Sequence, residues 1–238
     1  MVAARSAFGG WSGRTAYNRA QVVYRIAEMM EERRPQLVEA VGRAEGLSDK
    51  RSDAALSAAV DRVVWYAGWA DKLTQVTGNT NPVAGPFFNL STPEPTGVVA
   101  VLAPQESSLL GLVSVIVPVI VSGNTSVVVS SFKRPLPAVV LAEVLATSDV
   151  PGGVVNLLTG SAATVGPWLA SHMDVNAIDL TGVAGDHELA TELEVAATEN
   201  LKRVRRAPDA EPDWADEPDL STMTDFLETK TVWHPIGV

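Results

Sequence analysis

With 238 residues, 46% of them hydrophobic and 19% charged, the chain can build the core of one large globular domain or a domain and a half. A net charge of −10 argues against nucleic acid as a partner, and the absence of cysteine removes disulfides, thiolate metal sites and any thiol nucleophile together. No apolar core follows Met1 in MVAARSAFGGWSGR, so no signal peptide is expected; the longest apolar run, residues 109–121, is too short to span a membrane and contains Pro118, so a cytoplasmic protein with a helix buried beside a sheet is expected.

In chain order, Thr15 is placed to cap a helix through YNRAQVVYRIAEMMEERR, where Val22, Ile26, Met29 and Met30 keep helical spacing. Pro35 opens a second helix over residues 36–43 that Gly46 ends. Ser48 starts a third, reaching about residue 76, with Leu56, Ala59, Val63, Val64, Tyr66 and Trp69 as its apolar stripe. Such stripes pack into cores rather than line sites by roughly nine to one. Residues 77–95, rich in Gly, Asn and Pro and containing PFFNLST, predict a hairpin or extended arm.

Three β-rich runs follow, at residues 98–102, 126–129 and 154–158, with a weaker fourth at 175–180. The segments between them are long enough for crossover helices, which predicts parallel βαβ units in an α/β layer of the nucleotide-binding type. The ligand crevice of such a layer lies beyond the carboxyl ends of the strands. Those ends read Ala103-Pro104 then QESSLL, SSFKRPLPA, LLTGSAATVG with Ser161 starting a helix, and LTGVAGDHELA before a helical run to Asn200. Each junction can offer backbone N–H groups to an anion. No GxGxxG is present, and Gly152 and Gly153 in PGGVV read as a turn.

The remaining chemistry-bearing residues are bland. His172 and His234 lack metal-ligand companions, and His187 beside Asp186 and Glu188 reads as a solvated or capping residue. Ser107 and Ser108 read as helix caps rather than nucleophiles, and no Ser-His-Asp signature is visible. Residues 207–222 carry six acidic residues, no basic one, and Pro208, Pro212 and Pro218, which predicts a solvated linker, with an acidic docking segment as the rarer alternative.

The segments TAYNRAQVVYRIAEMMEERR, EPTGVVAVLAP, SGNTSVVVSS, EVLATSDVPGGVVNLLTG, LASHMDVNAIDLTG and ENLKRV, in this order and at this spacing, resemble the cofactor-binding half of the aldehyde dehydrogenase family over roughly residues 10–204. FLETKTVWHP resembles the family's C-terminal strand, which serves subunit assembly. The resemblance implies an α/β domain over residues 1–206, with a Rossmann-like parallel sheet flanked by helices, N-terminal helices and a small β oligomerisation arm; residues 207–222 are the acidic linker and 223–238 the oligomerisation strand. It further implies NAD or NADP as cofactor, with Pro104, Gln105, Ser130, Lys133, Gly160, Thr181 and Gly182 as cofactor-binding positions.

The chain also departs from that pattern. A segment like ENLKRV leads, in the family, into a strand with a catalytic Glu and then a domain with the nucleophilic Cys; here it leads through RRAPDAEPDWADEPDLST to the terminal strand. A thiohemiacetal needs a thiolate, so no catalytic residue and no metal ligand are assigned. Gln105 and Glu106 stand where the family has Trp-Asn, whose amide helps hold the oxyanion. Ser130 and Lys133 stand for its ribose-binding Lys and Glu, and Val183 for a Ser near the phosphates, although Lys133 could favour an additional phosphate. With lost donors worth about 1 kcal/mol each, dinucleotide binding is expected to be weak or lost. The expectation is a non-catalytic or regulatory subunit in a homodimer, or in a hetero-oligomer with a full-length aldehyde dehydrogenase. The alternatives are an NAD(P)-binding oxidoreductase component acting with a partner chain, and a folded duplicate without function.

Overall fold

In the computed structural model, which describes residues 1–237, five helices come first: α1 (Val2–Ser12), α2 (Ala16–Glu32), α3 (Arg34–Glu45), α4 (Asp49–Trp69) and the short α5 (Leu73–Thr77). Thr15 caps α2, its Oγ1 accepting the Asn18 N–H at 3.2 Å. The expected stripe of Val22, Ile26, Met29 and Met30 is buried. Pro35 lies in the first turn of α3, and Gly46 ends it at φ 68°, a left-handed conformation that glycine adopts without a Cβ penalty. The third expected helix divides, because α4 stops at Trp69 and a turn precedes α5. Helix α1 has no sequence signal, since Gly9 and Gly10 are poor helix formers. Tertiary packing supplies its stability: Trp11 is 1% exposed, and its indole N–H donates to the Ile120 carbonyl at 2.8 Å.

The arm is antiparallel. Strand β1 (Asn79–Asn81) pairs with β2 (Phe87–Pro95), whose other edge takes the terminal strand β8 (Leu227–Pro235). Between them runs the α/β layer: β3 (Val98–Leu102), α6 (Leu110–Val121), β4 (Thr125–Val129), α7 (Leu136–Ala146), β5 (Val155–Leu158), α8 (Ala162–Ser171), β6 (Ala177–Asp179), α9 (His187–Ala197) and β7 (Arg203–Arg205). These strands form one parallel sheet in the order β5-β4-β3-β6-β7. The order reverses at β3, as in doubly wound sheets, whose crevice opens at that point. Strand β7 escapes the period-2 reading because three residues, two of them Arg, carry no hydrophobic alternation.

Burial explains the layers. All five residues of β3 and of β4 are buried, as expected of strands covered on both faces. Helix α6 is apolar all round and lies between the sheet and the N-terminal helices, buried from Gly111 to Val121. The arm is tied to this body at its base. Phe226 is buried, its carbonyl accepts from Asn124 Nδ2 at 3.0 Å, and Arg203 forks onto Glu228 at 2.6 and 2.7 Å. Beyond Leu227 every described residue of β8 is exposed, and Trp233 meets the Phe87 ring edge-on with centroids 5.7 Å apart. Strand β8 therefore adds to the arm of its own chain, from Leu227 opposite Pro95 to Pro235 opposite Phe87. Among the described residues no helix is long and apolar enough to cross a membrane.

Ile120→Ala should cost about 2–5 kcal/mol, because Ile120 is fully buried in the core and its truncation leaves a cavity there. Val195→Ala, on the exposed face of α9, should stay within about 0.5 kcal/mol. Denaturant titration of both variants checks the contrast.

Candidate functional site

The carboxyl ends of β4, β3 and β6 meet in one crevice. Ala103 N–H donates to the Val129 carbonyl at 2.9 Å, so the loops after β3 and β4 start side by side. Gln105 staples them together: its Nε2 donates to the Ala103 carbonyl at 2.7 Å, and its Oε1 accepts from Phe132 N–H at 3.0 Å. Ser131 Oγ adds a bond to the Gln105 carbonyl at 2.9 Å. The Gln105 side chain is thus spent on the loops themselves. Pro104 stands beside Gly111, 3.0 Å from where a Cβ there would lie.

Ser130 is buried, and its Oγ has no hydrogen-bond partner among the described residues. Lys133 is exposed but committed: its Nζ reaches Glu106 at 2.7 Å, while Arg134 grips the same carboxylate at 2.6 Å. The Lys133 hydrogen bond and the two charges hold the Glu106 carboxyl below the ordinary Glu range. Gly160 follows β5 at φ 157°, two strands out from β3 at the edge of the sheet. Thr181 directs both its N–H (2.8 Å) and its hydroxyl (2.5 Å) to Asp179 Oδ1. Gly182 has a packing reason independent of any ligand: a Cβ there would stand 2.2 Å from the Ala103 carbonyl oxygen and 2.5 Å from that of Leu102. Six of the seven expected positions therefore cluster around β4, β3 and β6; the side chains of Gln105, Lys133 and Thr181 bond to neighbouring groups of the chain, and Ser130 Oγ has no partner among the described residues.

Residues 207–222, expected as a solvated linker, keep most of their carboxylates exposed but are also held against this crevice by hydrogen bonds. Leaving β7, the chain accepts the Gly185 N–H on the Pro208 carbonyl at 3.0 Å. It then sets the Glu211 carboxylate against the loop after β3. Oε2 accepts the N–H groups of Gln105 and Glu106, both at 2.9 Å, and Oε1 accepts Ser107 N–H at 2.9 Å and the Trp214 indole N–H at 3.1 Å. A second carboxylate, Glu45, takes Ser108 N–H at 2.7 Å and its hydroxyl at 2.6 Å. Four consecutive backbone donors at the N-terminal side of α6 thus hold two internal anions, and the expected cap comes from Ser107 alone, whose Oγ accepts Gly111 N–H at 2.9 Å.

The far end of the segment is clamped by Arg62, a buried guanidinium that donates to the carbonyls of Trp214 (2.8 Å) and Asp216 (2.7 Å) and to Ser114 Oγ (2.9 Å). Composition reads solvation because six carboxylates repel one another. It does not register that one of them meets a ready-made set of donors. A cleft of about 460 Å³ opens beside the segment, lined by Glu45, Glu106, Leu109, Glu211, Asp213 and Trp214 among others, and acidic side chains dominate its polar wall.

Asp179 is the residue that sequence reasoning passed over. It ends β6 fully buried, its Oδ2 lacks a hydrogen-bond partner among the described residues, and Arg205 Nε stands 4.0 Å away. Burial pushes its carboxyl above the ordinary Asp range, against the pull of Arg205 and Thr181. Asp225, 3.6 Å from the same Arg205, is raised by burial as well. The sequence signal was an Asp inside an otherwise apolar strand.

A parallel sheet with helices on both faces and a crevice at its strand-order reversal defines the Rossmann-like class. The sequence profile of the aldehyde dehydrogenase family matches residues 1–206, and the chain belongs to that family. It is 34% identical over 209 residues to an aldehyde dehydrogenase of Davidiella tassiana, and 33% identical over 210 residues to aldehyde dehydrogenase 1A1 of Homo sapiens. Both matches cover 86% of this chain and 40% of the relative, so the chain spans about two fifths of the length of these proteins. Among solved structures, PnpE in complex with nicotinamide adenine dinucleotide superposes with a TM-score of 0.79 at 29% identity, over 86% of this chain and 41% of that one. A variant of aldehyde dehydrogenase C from Pseudomonas syringae, complexed with NAD+ and octanal, gives 0.75 at 31% identity over 85% and 40%.

Asp179→Asn keeps the Oδ1 acceptor for Thr181 and removes the buried charge. A carboxyl that binds its proton more readily folded than unfolded favours folding at low pH, and that contribution is lost as pH rises through its raised value. The variant should therefore melt at a higher temperature than the parent at pH 7, and the gap should close below the ordinary Asp range. Thermal melts across pH 3 to 8 test this.

Proposed function

We propose that this chain is a non-catalytic member of the aldehyde dehydrogenase family that acts by assembly, in a homodimer or in a hetero-oligomer with a full-length aldehyde dehydrogenase. The observation that carries the reading is the state of the β3 end. Where oxyanion-stabilising donors would be wanted, the N–H groups of residues 105–108 already hold the Glu211 and Glu45 carboxylates, and Glu106 adds a third carboxylate nearby. Donors must be free and aimed at developing negative charge to lower an acyl-transfer barrier. The 238 residues also contain no cysteine to act as nucleophile.

The residues present do not fit a tightly held NAD or NADP. Lys133 is paired with Glu106, the Thr181 hydroxyl is donated to Asp179, and the Gln105 amide is bonded to the neighbouring loops. Phosphates brought to this crevice would meet Glu211 and Glu45 rather than open amides. Weak or lost cofactor binding follows. The reading as an NAD(P)-binding component that works with a partner chain draws on one observation, the likeness of this sheet to that of NAD-bound PnpE.

Assembly is supported by the arm. Phe87, Phe88, Val232, Trp233 and Ile236 are exposed, and β8 is an outer strand of its sheet. An outer strand with apolar side chains on its faces is a template for pairing with another chain.

The purified chain, given aldehydes with NAD or NADP, should form no reduced cofactor; turnover that survives removal of contaminating dehydrogenases would refute the non-catalytic reading. Light scattering should report a dimer for the chain alone, or a stable complex when a full-length family member is added, and removal of residues 224–238 should abolish it. A monomer at high concentration that captures no family member rules out assembly.

A further inference from the structure

The segment after β7 does more than leave the crevice unused. It follows a defined path over the carboxyl end of the sheet, from the β6 turn, where Pro208 pairs with Gly185, to the β3 end, where Glu211 sits. It then reaches the α4–α6 side, where Arg62 holds two of its carbonyls. Two glycines make room for it. A Cβ at Gly185 would lie 3.1 Å from the Asp209 carbonyl oxygen, and one at Gly111 would lie 3.0 Å from the Trp214 indole nitrogen.

The three amides of residues 105–107 converge on one carboxylate in the manner of a backbone anion nest, and the Trp214 indole supplies a fourth donor. Glu211 takes this seat although Glu45, Glu106 and Asp213 line the adjoining cleft. Like charges at that range oppose it, so the donors must outweigh the repulsion.

We propose that residues 207–216 form an autoinhibitory strap, whose Glu211 carboxylate occupies in cis an anion seat made by the amides of residues 105–107, so that a phosphate-bearing ligand enters the crevice only when the strap lifts. The device deepens the reading of a chain that binds dinucleotide weakly, by assigning part of that weakness to a removable contact, beside the fixed pairings of Lys133, Thr181 and Gln105. It rests on the same occupied amides that support the non-catalytic reading, but the absence of cysteine stands whether or not the strap lifts.

Glu211→Ala in the full chain, titrated calorimetrically with inorganic phosphate, NAD and NADP in parallel with the parent, tests it. At least one of the three should bind at least tenfold more tightly to the variant. A gain for phosphate marks the amide seat itself, and a gain confined to the dinucleotides marks the crevice the strap covers; either supports the strap. Gains below tenfold for all three ligands overturn it, even if aldehyde turnover stays absent and the non-catalytic reading stands. If Glu211→Ala does not fold, Trp214→Phe, which keeps the carboxylate but removes the indole donor, should show at least a threefold gain for one of the ligands, and no such gain in a folded variant overturns the strap.

Discussion

Four backbone N–H groups, those of residues 105–108, stand at the end of the central strand with no partner in the regular structure. A half-buried donor left unpaired costs on the order of 1–3 kcal/mol. In this chain two carboxylates from distant points of the sequence meet that demand, Glu211 from beyond β7 and Glu45 from the last turn of α3. Much of the rest follows from this satisfaction. The segment after β7 has to cross the sheet to deliver Glu211, Gly185 and Gly111 have to be small beneath it, and Arg62 has to hold its far side.

The same economy runs through the crevice. Polar groups that would face a ligand face each other: Lys133 and Arg134 on Glu106, Thr181 on Asp179, Gln105 on the loops after β3 and β4. Ser130 Oγ and Asp179 Oδ2 are exceptions, buried without partners among the described residues. Asp179 is the costlier of the two, because a buried charge weakly compensated by Arg205 raises its own proton affinity. The family's architecture is thus kept at the level of sheet and helices, while most polar side chains at the carboxyl ends of β3, β4 and β6 bond within the chain.

The arm obeys a different constraint. A terminal strand cannot stand alone, and β8 finds its hydrogen bonds on β2, anchored by Phe226 and by the Arg203 fork onto Glu228. That pairing satisfies one edge and leaves both faces of the distal half, with Trp233 and Val232, in solvent. Apolar side chains are exposed on the arm, as they also are at Trp168 and Leu201 of the body.

Local pattern determined the α/β architecture, because burial on both faces leaves unbroken β-branched runs such as residues 98–102 and 126–129, and because Thr15, Pro35 and Gly46 act within one helical turn of themselves. Order and spacing of segments carried the family, and composition showed that these 238 residues hold no cysteine, since both are properties of the chain read along its length. Tertiary structure alone decided the path of residues 207–222 and the fate of the expected site residues. The acceptors of the residue 105–108 amides lie some hundred residues downstream and some sixty upstream, and no periodicity connects them. Helix α1 was hidden for the same reason: its glycines disfavour a helix locally, and the Trp11 bond to Ile120 that holds it joins residues 109 positions apart.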